Sequence, residues 1–359
     1  MTLEVRNLNL SFRRKILSNV SFEVANGSVL GIIGPSGSGK TSLLKTIAGL
    51  IQPDSGQIFF NGKEITHLRT DHRNVRLALQ NPALFDLTVR ENVEFAIDDP
   101  RTPAPRRKQL ADITMSTMNI IGLADRSALQ LSGGQAQRVS LARTLASEPK
   151  ILLLDEPLAH LELSIRESIH TDLLNYIRRF AVPTIYVTHD LEDAFALADQ
   201  IAVLNSGEII QTGSAEELFF HPNSLTVAQM LGMPNSFTVN LTSSVNRADA
   251  RCTHKQTNDL EVVDVAVEIG RAMHIFQAKT PFSGQGIAFI APNNVLLKQT
   301  EMRSVFGLTG KILRRRFARS HWVYHVETEF GTTVSWQHEL FETGDYVDLE
   351  LLSGWVIPS

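Results

Sequence analysis

At 359 residues the chain has room for two domains and a fully buried α/β core. A formal charge of −4 gives no broad basic field, so nucleic acid is not suggested as the main partner. Cys252 is the single cysteine, which excludes an internal disulfide and a cysteine-rich metal site and fits a reducing compartment.

The N-terminus, Met1 to Arg6, alternates apolar and polar residues and carries an early acid, Glu4. It reads as a strand rather than a signal peptide. Leu3, Val5, Leu8 and Leu10 begin an edge sheet, and Val29 to Gly34 reads as a buried strand entering the glycine-rich run Gly34-Pro35-Ser36-Gly37-Ser38-Gly39-Lys40-Thr41-Ser42. Helical spacing runs from Thr41 to Leu50 and closes at Asp54-Ser55-Gly56. Asp98 to Pro105 is predicted to be irregular and to introduce a helix over about Arg106 to Ile121. A further helix is expected over Ala136 to Ser147, directly after Leu131-Ser132-Gly133-Gly134-Gln135. Ile151 to Leu154 and Thr184 to Val187 read as buried strands flanking an amphipathic helix of about Leu161 to Phe180. Strand, helix and strand in that order imply a parallel sheet with right-handed crossovers. No window approaches the roughly 18 to 20 uninterrupted apolar residues of a membrane span, so the chain is expected to be soluble and to borrow any membrane role from a partner. The pattern changes near Gly232-Met233-Pro234-Asn235. Short alternating runs follow, at Ala288–Ile290, Gly310–Leu313, Val323–Val326 and Tyr346–Leu349, and they predict a small β-barrel.

Gly34 to Thr41 matches the phosphate-loop pattern at all four fixed positions, after a strand and before a helix, where backbone N–H groups ring a phosphate. Lys40 is placed to reach the β/γ-phosphates and the Thr41 hydroxyl to ligate Mg²⁺. Asp155 and Glu156 end the strand Ile151–Leu154, at the ligand-binding edge of a parallel sheet. Asp155 would hold the Mg²⁺ shell and Glu156 would polarise an attacking water. His189 ends the next buried strand, near the γ-phosphate. Gln80 is by itself an ordinary strand-end glutamine. Phe12 either stacks on adenine or packs in the core. Ser132, Gly133, Gly134 and Gln135 form another helix N-terminus able to hold an anion. One ATP does not need two such sites in one chain, so this run is read as capping a γ-phosphate bound by a neighbouring copy.

As a set these motifs resemble the ABC-type ATPases over residues 1–232. Phe12 falls at the aromatic A-loop, Gly34–Thr41 at Walker A, Gln80 at the Q-loop, Leu131–Gln135 at the signature, Ile151–Glu156 at Walker B and His189 at the switch histidine. The resemblance implies an α/β P-loop NTPase with a helical subdomain, working as a head-to-tail homodimer with two ATPs at the interface. It places Gln80 among the catalytic and Mg²⁺-binding groups. Where this family commonly has Ser-Ala-Leu-Asp after Walker B, the chain has Ala159-His160-Leu161-Glu162. The changed charge reach and the bulkier His160 predict slow or pH-sensitive hydrolysis with ATP binding retained.

The segment Gln80 to Val93 is similar to the part of importer ATPases that receives a coupling helix from transmembrane permease subunits, with Leu84, Phe85 and Leu87 either its apolar contacts or part of the core. Residues 235–359 resemble the small all-β, OB-like (TOBE-type) regulatory domain of importer ATPases, in part through Gly286 to Val295. OB-like barrels also bind oligonucleotides, but Arg314, Arg315, Arg316 and Arg319 with Trp322 read as a solvated face, and no nucleic acid is expected. The expected function is therefore the ATP-hydrolysing subunit of an importer, at the cytoplasmic face of the membrane and served indirectly by a substrate-binding protein. A non-transport ABC ATPase and an exporter subunit are the alternatives. One cassette and no sustained heptads argue against the former, and the β-rich C-terminal region argues against the latter.

Overall fold

A computed structural model describes residues 2–97, 102–159, 163–233, 235–244, 263–269, 272–278, 284–299, 308–318 and 320–358. Cys252, His160, Glu162 and Arg319 lie outside the described residues, as do the readings that rest on them. The chain forms two compact units, Met1–Ala215 and Glu216–Ser359.

The first unit begins with β1 (Thr2–Ser11), β2 (Lys15–Ala25), β3 (Val29–Ile33), α1 (Lys40–Ala48), β4 (Ser55–Phe60), β5 (Lys63–Glu64) and β6 (Val75–Ala78). It continues through α2 (Val89–Phe95), α3 (Ala104–Thr117), α4 (Gly133–Ala146), β7 (Ile151–Asp155), α5 (Leu163–Phe180) and β8 (Thr184–Val187). It closes with α6 (Leu191–Leu197), β9 (Gln200–Asn205) and β10 (Glu208–Gly213). One sheet is antiparallel, in the order β2-β1-β4-β5. The other has the order β10-β9-β3-β8-β7-β6 and is parallel except for β10.

The unbroken apolar runs of the parallel strands follow from burial on both faces. Along β7, Leu152 and Leu154 join the core on the helical side with Val139, Leu145 and Tyr186. Ile151 and Leu153 point the other way, into a core with Leu3, Leu43, Ile47 and Val187 between this sheet and the antiparallel one. A polar residue at any of these positions would face a core, so the run admits none before Asp155.

Helix limits differ from the sequence expectation in ways that local chemistry explains. α3 starts at Ala104, not Arg106, because Pro105 in a first turn forfeits no hydrogen bond and brings a helical φ. It stops at Thr117, short of Ile121, where Asn119 takes a left-handed φ of 51°. α4 starts at Gly133, not Ala136, because Ser132 and Gln135 form a reciprocal capping box around the first turn. α1 ends at Gly49, whose φ of 82° suits a left-handed cap.

Arg73 is fully buried against that cap. Its guanidinium donates to the carbonyls of Thr46 and Ile47 at 3.0 and 2.9 Å, to Leu68 at 2.9 Å, and to Thr66. The cation thus closes the C-terminal carbonyls of α1, where the helix dipole favours positive charge. Burial pulls its pKa below the ordinary arginine value.

The second unit opens with α7 (Ala215–Phe220) and α8 (Leu225–Met230), then β11 (Asn235–Ser244), β12 (Val263–Ile269), β13 (Ala272–Ala278), β14 (Gly284–Ile290) and β15 (Val295–Gln299). β16 (Leu308–Ala318), β17 (His321–Thr328), β18 (Gly331–Gln337), β19 (Tyr346–Leu351) and β20 (Trp355–Pro358) follow. The expected single barrel is instead a closed barrel, β11-β12-β13-β20-β14, beside a sheet in the order β15-β19-β16-β17-β18. Of the four runs read from the sequence, only β14 lies in the barrel. Alternation reveals a half-buried strand but not which sheet pairs with it. One core, with Phe237, Phe276, Ile290, Val326 and Leu349, serves both sheets. The Asn235 amide joins them by exchanging hydrogen bonds with the backbone of Val334, 2.7 and 2.6 Å long. Ala228 and Met233 pack with Phe289 and Trp355, and the Trp355 indole donates to the Pro222 carbonyl at 3.1 Å. Residues 216–233 therefore cluster with the β-rich unit, ahead of the composition change near Gly232.

Arg73→Met should lower unfolding stability by on the order of 3 kcal/mol, since four carbonyls lose the guanidinium and, among the described residues, only that of Thr46 keeps another donor, the Gly49 N–H. Urea denaturation reads this directly, and an unchanged midpoint would show that the clamp is dispensable.

Candidate active site

The order β3-β8-β7-β6 places four parallel strands side by side, so their C-terminal ends share one edge. β3 delivers the glycine-rich loop, β8 delivers His189, β7 delivers Asp155 and Glu156, and β6 leads to Gln80. Hydrogen bonds continue past the strands, from Thr188 N–H to the Ile32 carbonyl at 3.3 Å and from Glu156 N–H to the Val187 carbonyl at 2.9 Å.

The loop from Gly34 to Thr41 needs glycine where the backbone crowds. A Cβ on Gly34 would lie 2.0 Å from the Leu204 carbonyl oxygen, and one on Gly39, at φ 108°, would lie 2.8 Å from that of Ile16. Lys40 donates to the carbonyls of Gly34 and Pro35 at 2.8 and 3.0 Å. Burial lowers its pKa, opposed by the charges of Glu156 and Asp155. Pro35, Ser36 and Gly37 are exposed, whereas Ser38 is buried and its hydroxyl has no hydrogen-bond partner among the described residues. Ser42 follows Thr41 in the first turn of α1 and is half-buried. The Thr41 hydroxyl donates to Asp155 Oδ2 at 2.8 Å. Burial raises the Asp155 pKa above its ordinary value; the Thr41 bond opposes the rise and the charge of Glu156 adds to it.

Glu156 is the convergence point. Gln80 Nε2 donates to its Oε2 at 2.9 Å, and His189 Nδ1 lies 3.0 Å from its Oε1. Its backbone has φ 48°, a left-handed conformation uncommon for a residue with a Cβ.

Phe12 sits in the turn between β1 and β2 with 63% of its surface exposed, which removes the core alternative. Ser132 and Gln135 cap α4 by bonding each other's backbone N–H, at 3.3 and 3.1 Å. A Cβ on Gly133 would meet open space. The structure thus gathers the phosphate loop, Gln80, Asp155, Glu156 and His189, and leaves the first turn of α4 at an accessible helix end. Phosphate-ring backbone, a buried cation, an oxygen pair and a positioned carboxylate together can bind a nucleoside triphosphate and direct water at it.

Residues 17–159 match the family model described as ABC transporter. A probable sulfate/thiosulfate import ATP-binding protein of Chlorella vulgaris is 42% identical over 235 residues, 65% of this chain and 100% of the relative. An Fe(3+) ions import ATP-binding protein of Agrobacterium fabrum is 32% identical over 328 residues, 91% of this chain and 88% of the relative.

The chain belongs to the ABC transporter family.

Two solved structures are similar to this ABC ATPase, each at 28% identity. A dimeric ATP-binding cassette bound to ADP and Pi in a post-hydrolysis state has a TM-score of 0.56 and matches over 59% of this chain and 98% of that one. An Atm1-family bacterial exporter with ATP bound has a TM-score of 0.58 and matches over 64% and 41%.

A second feature of the ABC unit lies beyond Gln80. Phe85, 44% exposed, lines a cleft of 1210 Å³ with Arg69, Asp71, Phe95 and Arg143. Phe85 packs against Phe95, the rings tilted by 56° with centroids 4.5 Å apart. Leu87 is exposed too, whereas Leu84 is half-buried against the core on the helical side, and neither lines this cleft. Sequence reasoning missed Asn92, which is buried and bonds both the N–H and the carbonyl of Phe85, at 2.9 and 3.1 Å. It also missed Arg166, which reaches Asp190 and Asp193 beside His189, and Gln137 on α4. Arg166 and Gln137 have partners remote in sequence, and Asn92 bonds the backbone of its own loop, which leaves no residue pattern to read.

In the second unit, Arg315 donates to the Phe341 carbonyl at 2.7 Å, pairs with Glu342 at 2.8 Å and lies over the Trp322 ring at 5.3 Å. Arg314 Nη2 lies 3.4 Å from His325 Nδ1.

Because the folded pKa of Asp155 lies above its unfolded value, the folded state keeps the extra proton between the two. Stability therefore falls as pH rises through that window. Asp155→Asn removes the titration and should raise the melting midpoint of the nucleotide-free protein by about 2 °C above the window, while abolishing hydrolysis. Calorimetry across acidic to neutral pH tests this, and a lower midpoint in the variant would contradict the burial argument.

Proposed function

We propose that this chain is the ATP-hydrolysing subunit of an ABC importer, coupling ATP-driven closure of a homodimer to solute uptake through permease subunits. The observation that carries the proposal is the Glu156 carboxylate, held from both sides by Gln80 and His189 at the strand edge that bears the phosphate loop. The relatives named as import ATP-binding proteins favour an importer over the exporter and non-transport alternatives.

In this reading the backbone of Gly34 to Gly39 and the hydroxyls of Ser38 and Ser42 receive the phosphates, and Lys40 exchanges its loop carbonyls for β/γ-phosphate oxygens. Phe12 stacks on the adenine. Mg²⁺ suits the donor set: Thr41 and Asp155 already share a hydrogen bond, and this ion takes few protein oxygens beside phosphate and water. Gln80 can add its amide oxygen while its nitrogen holds Glu156. Bound there, the ion would neutralise phosphate charge. Glu156 accepts a proton from the attacking water, and His189 and Gln80 keep its two oxygens aimed.

Ser132, Gly133, Gly134 and Gln135 would meet the γ-phosphate held by the partner copy in a head-to-tail dimer, a reading that the dimeric ADP-bound neighbour supports. The cleft at Phe85 would receive the permease coupling helix, with Phe85 and Phe95 in its apolar wall and Leu87 exposed two residues beyond Phe85. Among the described residues no helix is long and apolar enough to cross a membrane, so attachment at the cytoplasmic face would come through those permease subunits, with the substrate-binding protein acting indirectly. Residues 1–232 would serve as the ATPase domain and 235–359 as the regulatory TOBE-type domain, without a nucleic-acid partner.

Glu156→Gln should form an ATP-dependent dimer on size exclusion and turn over at least about 100-fold more slowly than wild type. A variant that stays monomeric in saturating ATP and hydrolyses normally would sink the role of Glu156. Phe85→Glu should abolish co-purification of multi-span membrane proteins from gently solubilised native membranes, with ATP hydrolysis by the isolated subunit kept within about twofold. Wild type recovered without any membrane protein would shift the assignment to a non-transport ATPase.

A further inference from the structure

We infer that Gln137 is a positioning residue for Glu156 and ties α4 to the catalytic edge of its own protomer. The inference rests on the ATPase reading above. Gln137 lies in the second turn of α4 and is only 3% exposed. Gly133 and Gly134 precede it by four and three residues, so all three share one side of the helix. Its side-chain nitrogen donates to the Glu156 carbonyl at 3.0 Å and reaches the Gln80 carbonyl at 3.4 Å. One amide thus touches the main chain of both the residue assigned as base and a residue that holds that base.

The left-handed backbone at Glu156 makes this contact matter. A residue with a Cβ holds φ 48° only when its surroundings over-determine it. On the N-terminal side the strand provides that support, through Glu156 N–H to the Val187 carbonyl at 2.9 Å. On the C-terminal side the Glu156 carbonyl accepts from the Gln137 amide at 3.0 Å and, at 3.4 Å, from the Ala159 N–H. Losing the Gln137 bond leaves that carbonyl only the longer Ala159 contact, so the peptide after Glu156 can rotate and its carboxylate turns with it, away from the reacting water.

The chemistry is that of a donor rather than of packing. Gln137 Oε1 is buried and has no hydrogen-bond partner among the described residues, so the polar work of the side chain falls on its N–H groups. The consequence reaches beyond one site. The first turn of α4 is proposed to meet the partner's nucleotide, while Gln137, within the same two turns, holds the base for the protomer's own. Engagement of one site is thereby felt at the other through a few residues of one helix.

The test compares Gln137→Met, which keeps size and removes the donors, with Gln137→Lys, which restores a donor. In Gln137→Met, turnover should fall about tenfold with KM for ATP within about twofold. The melting midpoint and ATP-dependent dimer formation should stay near those of wild type. Gln137→Lys should recover at least about a third of the lost rate, whereas packing alone ranks the apolar Met above Lys. Turnover of Gln137→Met within twofold of wild type overturns the inference. So does Met outperforming Lys, a loss of dimerisation in step with turnover, or failure of both variants to fold. Wild type and Glu156→Gln are assayed in parallel: a wild type without ATPase activity would instead defeat the functional reading itself.

Discussion

Everything at the active edge depends on the parallel pairing of β3, β8, β7 and β6, because it fixes where four loops begin. The strands β3, β8 and β7 are buried on both faces, so a register slip of one residue would exchange their two closely packed cores and is opposed. With register fixed, Ile32 faces Val187, Asp155 faces Val187, and Ala78 faces Leu154. The loop residues then leave the sheet in step. Precise placement of Gln80, Asp155, Glu156 and His189 therefore derives from hydrophobic burial, which is non-directional, converted to geometry by backbone hydrogen bonding.

The residues of the site neutralise one another. Lys40 leans on its own loop, Thr41 on Asp155, and Glu156 on Gln80 and His189. A nucleotide entering such a site exchanges partners rather than ordering a disordered loop, which keeps the conformational part of the binding free energy small. The same arrangement leaves strain where chemistry needs it. Burial disfavours the charge on both Lys40 and Asp155, and phosphate with a divalent cation is the pair of charges that relieves both. Stability and function therefore pull these positions in opposite directions.

The sequence makes the first unit legible where chemistry is local. Gly34 to Thr41 must be contiguous to wrap a phosphate, and Asp155-Glu156 can be read because an apolar run that stops at acids has to stop at a sheet edge. Gln137, Asn92 and Arg73 are illegible for a different reason. Each donates to backbone carbonyls, near or far along the chain, and a carbonyl has no sequence signature. The C-terminal region shows the same limit at larger scale. Alternation in β14, β16, β17 and β19 identified strands, but for β14 and β19 the pairings that decide the sheet join distant parts of the chain, and the division into barrel and sheet was hidden. The groove beyond Gln80 was legible only in part: Phe85 and Leu87 face outward while Leu84, in the same apolar run, turns into the core.

The helical side of the first unit is fastened to the catalytic edge by side chains that reach main chain. Asn92 holds the loop at Phe85, Arg143 donates to the Ala83 carbonyl at 2.8 Å, and Gln137 spans Gln80 and Glu156. Apolar packing alone lets helices slide, since it is roughly proportional to buried area and indifferent to direction. Bonds from amide and guanidinium groups to particular carbonyls do not allow that freedom. On the proposed reading, a push at the Phe85 cleft would have a short polar route to follow: through the 83–92 loop to α4, and through Gln137 to the backbone of Glu156. If a partner helix seats in that cleft, its displacement and the aim of the hydrolytic carboxylate are two readings of one mechanical coordinate, and the polar fasteners determine how tightly they agree.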